Sequence, residues 1–259
     1  MSAKQWILIL GASSGMGAAT ARAFAKAGYG IFGVHMDRRA AMPGVDALVQ
    51  ELRGYDVPVH FENGNAASAD VRAGMIQTLK QTIGSGELRV LLHSLAFGTL
   101  RPYIQDEGAL TQRQLDMTLN VMANSLLYWT QDLFNESLLG AKAKVYAMTS
   151  SGSLGVWPYY GAVSAAKCAL ESHVRQLALE LAPHKITVNA ILAGVTRTPA
   201  LDKIPGAEKM VEVAQARNPS GRLTLTSDVA EAILALSATG THWITGNTIR
   251  VDGGETITG

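Results

Sequence analysis

The chain has one cysteine, Cys168, among 259 residues, so an intrachain disulfide is excluded and a reducing, cytoplasmic setting is the plain expectation. It also lacks an excess of either charge: 22 Lys and Arg stand against 21 Asp and Glu, for a net charge of +1. Such a balance implies neither nucleic acid nor an anionic membrane as partner. No run approaches the roughly 20 apolar residues of a membrane-spanning helix. The six histidines are scattered without metal-ligand spacing, so no metal is expected. The first residues, Met1-Ser-Ala-Lys-Gln, show no basic-then-apolar leader. Prolines number eight against 26 glycines, which suits a chain of many tight strand–helix turns.

What is present alternates regularly. Short apolar runs at 6–10, 31–35, 57–61, 88–93, 144–148, 186–192 and 248–251 read as strands. Between them, helical patterns span 15–27, 43–54, 69–83, 111–137, 158–181, 207–217 and 228–237. Pro43 and Pro158 stand at two helix starts. Strands without polar alternation are buried on both faces, and helices between them make crossovers. The pattern predicts an α/β fold, a doubly wound parallel sheet with helices on both faces. No linker, repeat or low-complexity block divides the chain, so residues 1–259 read as one domain. The stretch 193–223 is the least regular. It follows a strand's carboxyl end, where such sheets bind ligands, and is expected to form a substrate lid.

Gly11-Ala-Ser-Ser-Gly15-Met-Gly17 joins the first strand to the first helix. Its glycines allow a tight turn and let a pyrophosphate approach the helix N-terminus, where free N–H groups and the helix dipole favour anions. An ordinary glycine-rich turn is the alternative, but strand, loop and helix occur in the required order. Gly11, Ser13, Ser14, Gly15, Met16 and Gly17 are the candidate dinucleotide contacts.

The spacing G-x3-G-x-G resembles the short-chain dehydrogenase/reductase family, and the resemblance continues across nearly the whole chain. Asn120 matches the family's helix asparagine, Ser150 the serine that ends its fifth strand, and Lys167 its active-site lysine. Val188-Asn189-Ala190, with Gly194 and Thr198, matches the segment beside the nicotinamide. Val251-Asp252-Gly253-Gly254 matches the last strand. The resemblance implies a Rossmann-type fold and a nicotinamide cofactor. It also implies that Asn65 and Ala66 border the adenine, and that Leu95, Ala96, Val195 and Thr196 line the cofactor through backbone groups. The long helices at 111–137 and 158–181 resemble those that form dimer interfaces, so a homotetramer is expected.

The departures narrow the reading. Most members carry a tyrosine four residues before the lysine, where this chain has Val163; the tyrosine here is Tyr160, seven before. His93-Ser94-Leu95-Ala96-Phe97-Gly98 replaces the usual Asn-Asn-Ala-Gly. Both changes resemble the enoyl-acyl-carrier-protein reductases. Ser150 occupies the position, seventeen before the lysine, where one group of those enzymes has a second tyrosine. In this it resembles the third bacterial type, whose members use NADPH. At about 100° per residue, seven steps make about 700°, nearly two full turns, so Tyr160 is expected on the Lys167 face near the helix start. Reduction of a 2-enoyl thioester puts hydride on C3 and builds negative charge on the thioester oxygen, farther away than a ketone oxygen. The expectation is that Tyr160 stabilises that oxygen, while Lys167 binds the cofactor ribose and lowers the tyrosine pKa. Asn120 would hold the network behind the lysine, and Ser150 would add a hydrogen bond to the carbonyl. Tyr160 can also be read as a packing residue at a helix entry, with Tyr159 competing for its role.

At the end of the second strand, His35 is followed by Met36-Asp37-Arg38-Arg39. Arg38 and Arg39 suit a 2′-phosphate and favour NADPH, whereas Asp37, after a shift of one or two residues, would take the free 2′-hydroxyl of NADH. The expected substrate is an enoyl thioester on acyl carrier protein or CoA, and Lys203, Lys209 and Arg217 are candidates to meet an acidic carrier. Two rivals remain. A ketone or alcohol oxidoreductase is opposed by Val163. A non-catalytic cofactor-binding scaffold is opposed by the intact set Asn120, Ser150 and Lys167.

Overall fold

The computed structural model describes residues 5–258; residues 1–4, on which the leader-free reading rests, and residue 259 lie outside the described residues. Seven strands, β1 (Gln5–Leu10), β2 (Gly30–His35), β3 (Val59–Asn63), β4 (Glu87–His93), β5 (Leu139–Ser150), β6 (Thr187–Ala193) and β7 (Thr248–Val251), form one sheet in the order β3-β2-β1-β4-β5-β6-β7. All neighbours run parallel. The helices are α1 (Gly15–Lys26), α2 (Met42–Arg53), α3 (Ala69–Ile83), α4 (Gln112–Leu119), α5 (Ser125–Asn135), α6 (Gly161–Leu181), α7 (Ala207–Arg217) and α8 (Thr226–Leu236). Strand direction in β1 shows why both faces must be covered. Leu8 and Leu10 enter the layer under α3, α5 and α6, while Ile7 and Ile9 enter the layer under α1, α2 and α8, and all four are fully buried. The doubly wound α/β expectation therefore holds.

Among the boundaries that differ from the sequence reading, β5 runs from Leu139 to Ser150 instead of 144–148, and three other differences have a plain physical reason. β3 begins at Val59 instead of 57, because Pro58 has no N–H to give the ladder; its carbonyl accepts from the Ile31 N–H at 2.9 Å just ahead of the strand. The expected helix at 111–137 is two helices joined by a π-turn, Asn120–Asn124. Its start is a capping box: Gln114 N–H donates to Thr111 Oγ1 and Thr111 N–H to Gln114 Oε1. The expected helix at 158–181 starts only at Gly161, because Tyr159 takes a left-handed φ of 66° that no α-helix admits.

Reversal of the winding direction between β1 and β4 opens a crevice at the carboxyl ends of the strands, as such sheets require. The loop entering α1 forms one wall. A Cβ at Gly17 would stand 1.9 Å from the Gly11 carbonyl oxygen, so the helix can seat against the loop only if this position is bare. Gly17→Ala is expected to lower the melting temperature by about 5–10 °C, the effect of a few kcal/mol in a domain of this size. An unchanged melt would show that the loop yields.

Candidate active site

A cavity of about 820 Å³ occupies the crevice. Its walls bring together Gly11, Ser13, Ser14, Gly15 and Met16 from the glycine loop, His35 from β2, Asn65 and Ala66 after β3, and Leu95 and Ala96 after β4. Ser150, Tyr160, Lys167, Gly194, Val195, Thr196 and Thr198 complete the expected set. Four expected residues stay off the wall. Gly17 is buried behind the loop, Arg38 and Arg39 are exposed beyond it, and Asn120 opens the π-turn. Tyr159, the rival of Tyr160, is 45% exposed and also off the wall.

Lys167 projects from the second turn of α6 into the sheet edge and is 5% exposed. Its Nζ donates to the Met148 carbonyl of β5 at 2.7 Å. Burial lowers its pKa to about 8, against the opposing pull of Glu171 one turn on. Glu171 itself accepts from the Thr149 hydroxyl at 2.6 Å. On the β4 side, His93 is fully buried, and its Nε2 lies 2.8 Å from Ser125 Oγ. Ser125 donates its own proton to the Val121 carbonyl, so Nε2 must be the protonated ring nitrogen. Burial, with the Lys167 charge nearby, lowers the His93 pKa to about 3 and keeps the ring neutral. Its Nδ1 is buried without a hydrogen-bond partner.

Tyr160 is the N-cap residue of α6, one step outside the helix. Its pKa is raised, with burial the main cause and the Ser150 hydroxyl acting against it. The expected lowering by Lys167 is not found, because the loss of solvent around the phenol outweighs any pull from the ammonium. Tyr160 therefore stays a neutral donor. Ser150 Oγ faces it but is buried without a well-formed hydrogen bond. At the position where most relatives of this pattern have the tyrosine, Val163 is 5% exposed and packs with Met122 and Ala166, backed by Leu100, Leu119 and Val121. No proton donor remains there.

The nucleotide end differs from expectation in one respect. Asp37, not the arginine pair, reaches the wall. Its carboxylate lies 2.9 Å from His35 Nδ1, and its backbone is held from both sides by Asn63: the Asp37 N–H donates to Asn63 Oδ1, and Asn63 Nδ2 donates to the Asp37 carbonyl. The loop after β6 also differs. The Val195 N–H, expected to face a cofactor, donates at 2.9 Å to Glu255, a buried carboxylate whose pKa burial raises. Glu255, Thr256 and Thr258 line the cavity and carried no motif in the sequence. Asn189 is structural: its side chain clamps the loop before β7 through the Ile244 carbonyl and the Asn247 N–H.

Free first-turn amides of α1, a carboxylate at the end of β2 and a buried lysine on a wall with the orphaned Ser150 hydroxyl fit an elongated dinucleotide with phosphate and ribose groups. Beyond them the wall turns apolar, with Phe97, Leu100, Met122, Leu154, Trp157 and Ile204. The α7 stripe Met210, Val213, Ala214 and Arg217 covers this half, so the segment 193–223 does roof the cavity. Among the described residues, no group of His, Cys, Asp and Glu could hold a metal ion, and no helix is long and apolar enough to cross a membrane.

The family model described as enoyl-(acyl carrier protein) reductase matches residues 11–256. A hydroxy(phenyl)methylsuccinyl-CoA dehydrogenase subunit of Thauera aromatica is 30% identical over 96% of each chain. A 3-oxoacyl-acyl-carrier-protein reductase of Thermotoga maritima is 27% identical over 96% of this chain and 97% of its own. The NADH-dependent enoyl-acyl-carrier-protein reductase of Aquifex aeolicus is 26% identical over 85% of this chain and 80% of its own. Its crystal structure superposes with a TM-score of 0.83, covering 99% of this chain and 97% of that one. With the glycine loop, the α6 lysine held to β5 and the seven parallel strands in place, the chain belongs to the short-chain dehydrogenase/reductase family, within the group of the enoyl-acyl-carrier-protein reductase model.

Proposed function

We propose that this oxidoreductase reduces the C2–C3 double bond of a 2-enoyl thioester carried on acyl carrier protein or CoA. The observation that carries the reading is the pairing of Tyr160, a half-buried neutral donor seven residues before Lys167, with Val163, packed in an apolar cluster on the cavity wall at the ordinary tyrosine position. When bound, the dihydronicotinamide supplies the hydride that reaches C3. The Tyr160 hydroxyl donates to the thioester oxygen as charge builds there, and Ser150, whose hydroxyl lacks a partner, adds a second hydrogen bond. Lys167 keeps an ammonium near the ribose and that oxygen. A proton from solvent completes the reduction at C2. The apolar half of the cavity suits an acyl chain, and Lys203 and Arg217 on the lid suit an anionic carrier.

For the cofactor, Asp37 supports NADH over the NADPH expected from Arg38 and Arg39. A carboxylate at the end of β2 accepts the 2′-hydroxyl and repels a 2′-phosphate. Exposed apolar residues at Leu179, Trp243 and Ile257 support a homotetramer. A solution mass equal to one 27.4-kDa chain would refute that.

Cofactor oxidation followed with a 2-enoyl and a 3-oxoacyl thioester separates the alternatives. Turnover of the enoyl ester alone is expected; turnover of the ketoester alone would make the protein a ketone reductase, and none with either would leave a cofactor-binding scaffold. Tyr160→Phe is expected to lower kcat about 100-fold, the cost of an oxyanion donor; near-normal turnover removes Tyr160 from the mechanism. Asp37→Ser is expected to raise the NADPH-to-NADH preference about tenfold or more, an energy of about 1.4 kcal/mol, and an unchanged ratio shows that Asp37 does not read the ribose. Because Lys167 loses its proton at about pH 8, below the ordinary lysine range, kcat/KM is expected to fall as pH rises through that value in the free enzyme. Lys167→Arg, which keeps its charge, is expected to move that limb upward; an unmoved limb assigns it to another group.

A further inference from the structure

Tyr160 does not ride on the α6 spiral. It sits just before the helix with φ −92° and ψ 0°, and the residue that turns the chain into this position is Tyr159, at φ 66°. An L-residue with a bulky side chain enters the left-handed region only against steric resistance, and residues held there gather where a site needs a fixed geometry. Five described non-glycine residues have positive φ: Asp56, Ser137, Lys142, Tyr159 and Lys185. Tyr159 alone among them adjoins a residue of the cavity wall. Its side chain is 45% exposed and makes no hydrogen bond among the described residues, so the turn is not held by the ring.

The backbone around it is held. Tyr160 N–H donates to the Trp157 carbonyl at 3.1 Å, the Tyr160 carbonyl accepts from Ser164 N–H at 2.8 Å, and Trp157 Nε1 donates to the Pro205 carbonyl at 3.2 Å. Across from the turn lies Gly152. A Cβ there would stand 2.5 Å from Cε1 of the Tyr160 ring and 3.2 Å from Ser150 Oγ. The Ser164 hydroxyl donates to the Gly152 carbonyl at 2.5 Å, which pins this bare backbone to α6. The ring thus lies between a left-handed turn behind it and an uncovered peptide in front.

We propose that Tyr159 is a positioning residue that acts through its backbone: its left-handed turn, with bare Gly152 opposite, sets the Tyr160 hydroxyl beside Ser150. This rests on the reading of Tyr160 as the hydroxyl donor. A seven-residue step measured along a helix does not by itself place the phenol. Leaving the helix before Gly161 does, because a helical Tyr160 would follow the α6 spiral instead of turning back over Gly152.

Three substitutions separate backbone from side chain. Tyr159→Gly and Tyr159→Asn enter the left-handed region readily, and they are expected to keep most of kcat. The β-branched Tyr159→Val resists it, and kcat is expected to fall about 100-fold with KM little changed, the effect of a misplaced catalytic group. Ultraviolet difference titration against Tyr160→Phe reads the same displacement without substrate: in Tyr159→Val the Tyr160 phenol is expected to ionise at lower pH, as its ring leaves the half-buried site for solvent. Gly152→Ala pushes the ring from the other side, and is expected to give the same pair of changes should the valine variant not fold. A valine variant with wild-type kcat and titration overturns the proposal. So does a glycine variant that loses as much as the valine variant, since the side chain would then be what matters. Full activity in Tyr160→Phe would sink the functional reading instead, while the titration still reports whether Tyr159 sets the ring.

Discussion

A buried ammonium with a single protein acceptor organises this site. Lys167 gives one of its three N–H bonds to the Met148 carbonyl, and Glu171, the carboxylate one turn on that steadies its charge, is engaged by the Thr149 hydroxyl. A cation withdrawn from water this far must find more partners or give up its proton more readily. The second response is visible in its pKa of about 8. A ribose hydroxyl or a developing oxyanion at the cavity would supply the first. The neighbours follow from the same constraint. His93 is held neutral first by its own burial and then by the Lys167 charge, with its proton fixed on Nε2 by a serine that spends its own on Val121. That carbonyl and that serine stand at the two ends of a hydrogen bond across the π-turn, where the wider i→i+5 winding occurs.

Around this charge the polar and apolar duties are divided. Val163 occupies a place on α6 close enough to the lysine to have served as an acid, and it is packed with Met122 and Ala166 instead. In the proposed reaction the donor is instead Tyr160, just outside the helix. Its pKa is raised, so it gives a hydrogen bond and does not readily give up its proton. A donor of that kind would stabilise charge on an oxygen without transferring its proton, in keeping with the proposed enolate. The apolar half of the cavity and the lid stripe on α7 begin just beyond it.

Much of the architecture was legible because burial on both faces leaves a plain mark. Residues 248–251 and 207–217 were read with the bounds that β7 and α7 have in the structure. The misses have physical causes. A π-turn adds one residue per turn without altering which side chains are apolar, so Asn120–Asn124 is invisible to periodicity. Tyr159 breaks α6 through a backbone angle that composition does not encode, and an aromatic residue is the wrong place to look for it. Arg38 and Arg39 carried the right chemistry for a phosphate, but the chain leaves β2 so that Asp37 faces the cavity. Glu255 gave no signal at all, since its role depends on the last turn folding back across the mouth of the site.

That last turn also limits how the roof can move. The Asp252 carboxylate accepts from Gly254 N–H, Thr256 N–H and the Thr256 hydroxyl, which fixes the turn as a unit. From it, Glu255 takes the Val195 N–H at the root of the lid. At the far end, Asn218 Nδ2 donates to the Asp252 carbonyl and the Thr258 hydroxyl to the Arg217 carbonyl. Both ends of the segment are therefore tied to the same few residues after β7. A lid pinned at two points on one rigid turn cannot slide or peel away as a whole. Between them the stretch that carries Lys203, Ile204, Met210 and Val213, all on the cavity wall, has a third tie in the middle, where Trp157 Nε1 donates to the Pro205 carbonyl. The geometry thus anchors the cavity's roof to the last turn of the chain, and it does so with a carboxylate whose own proton affinity is raised by burial.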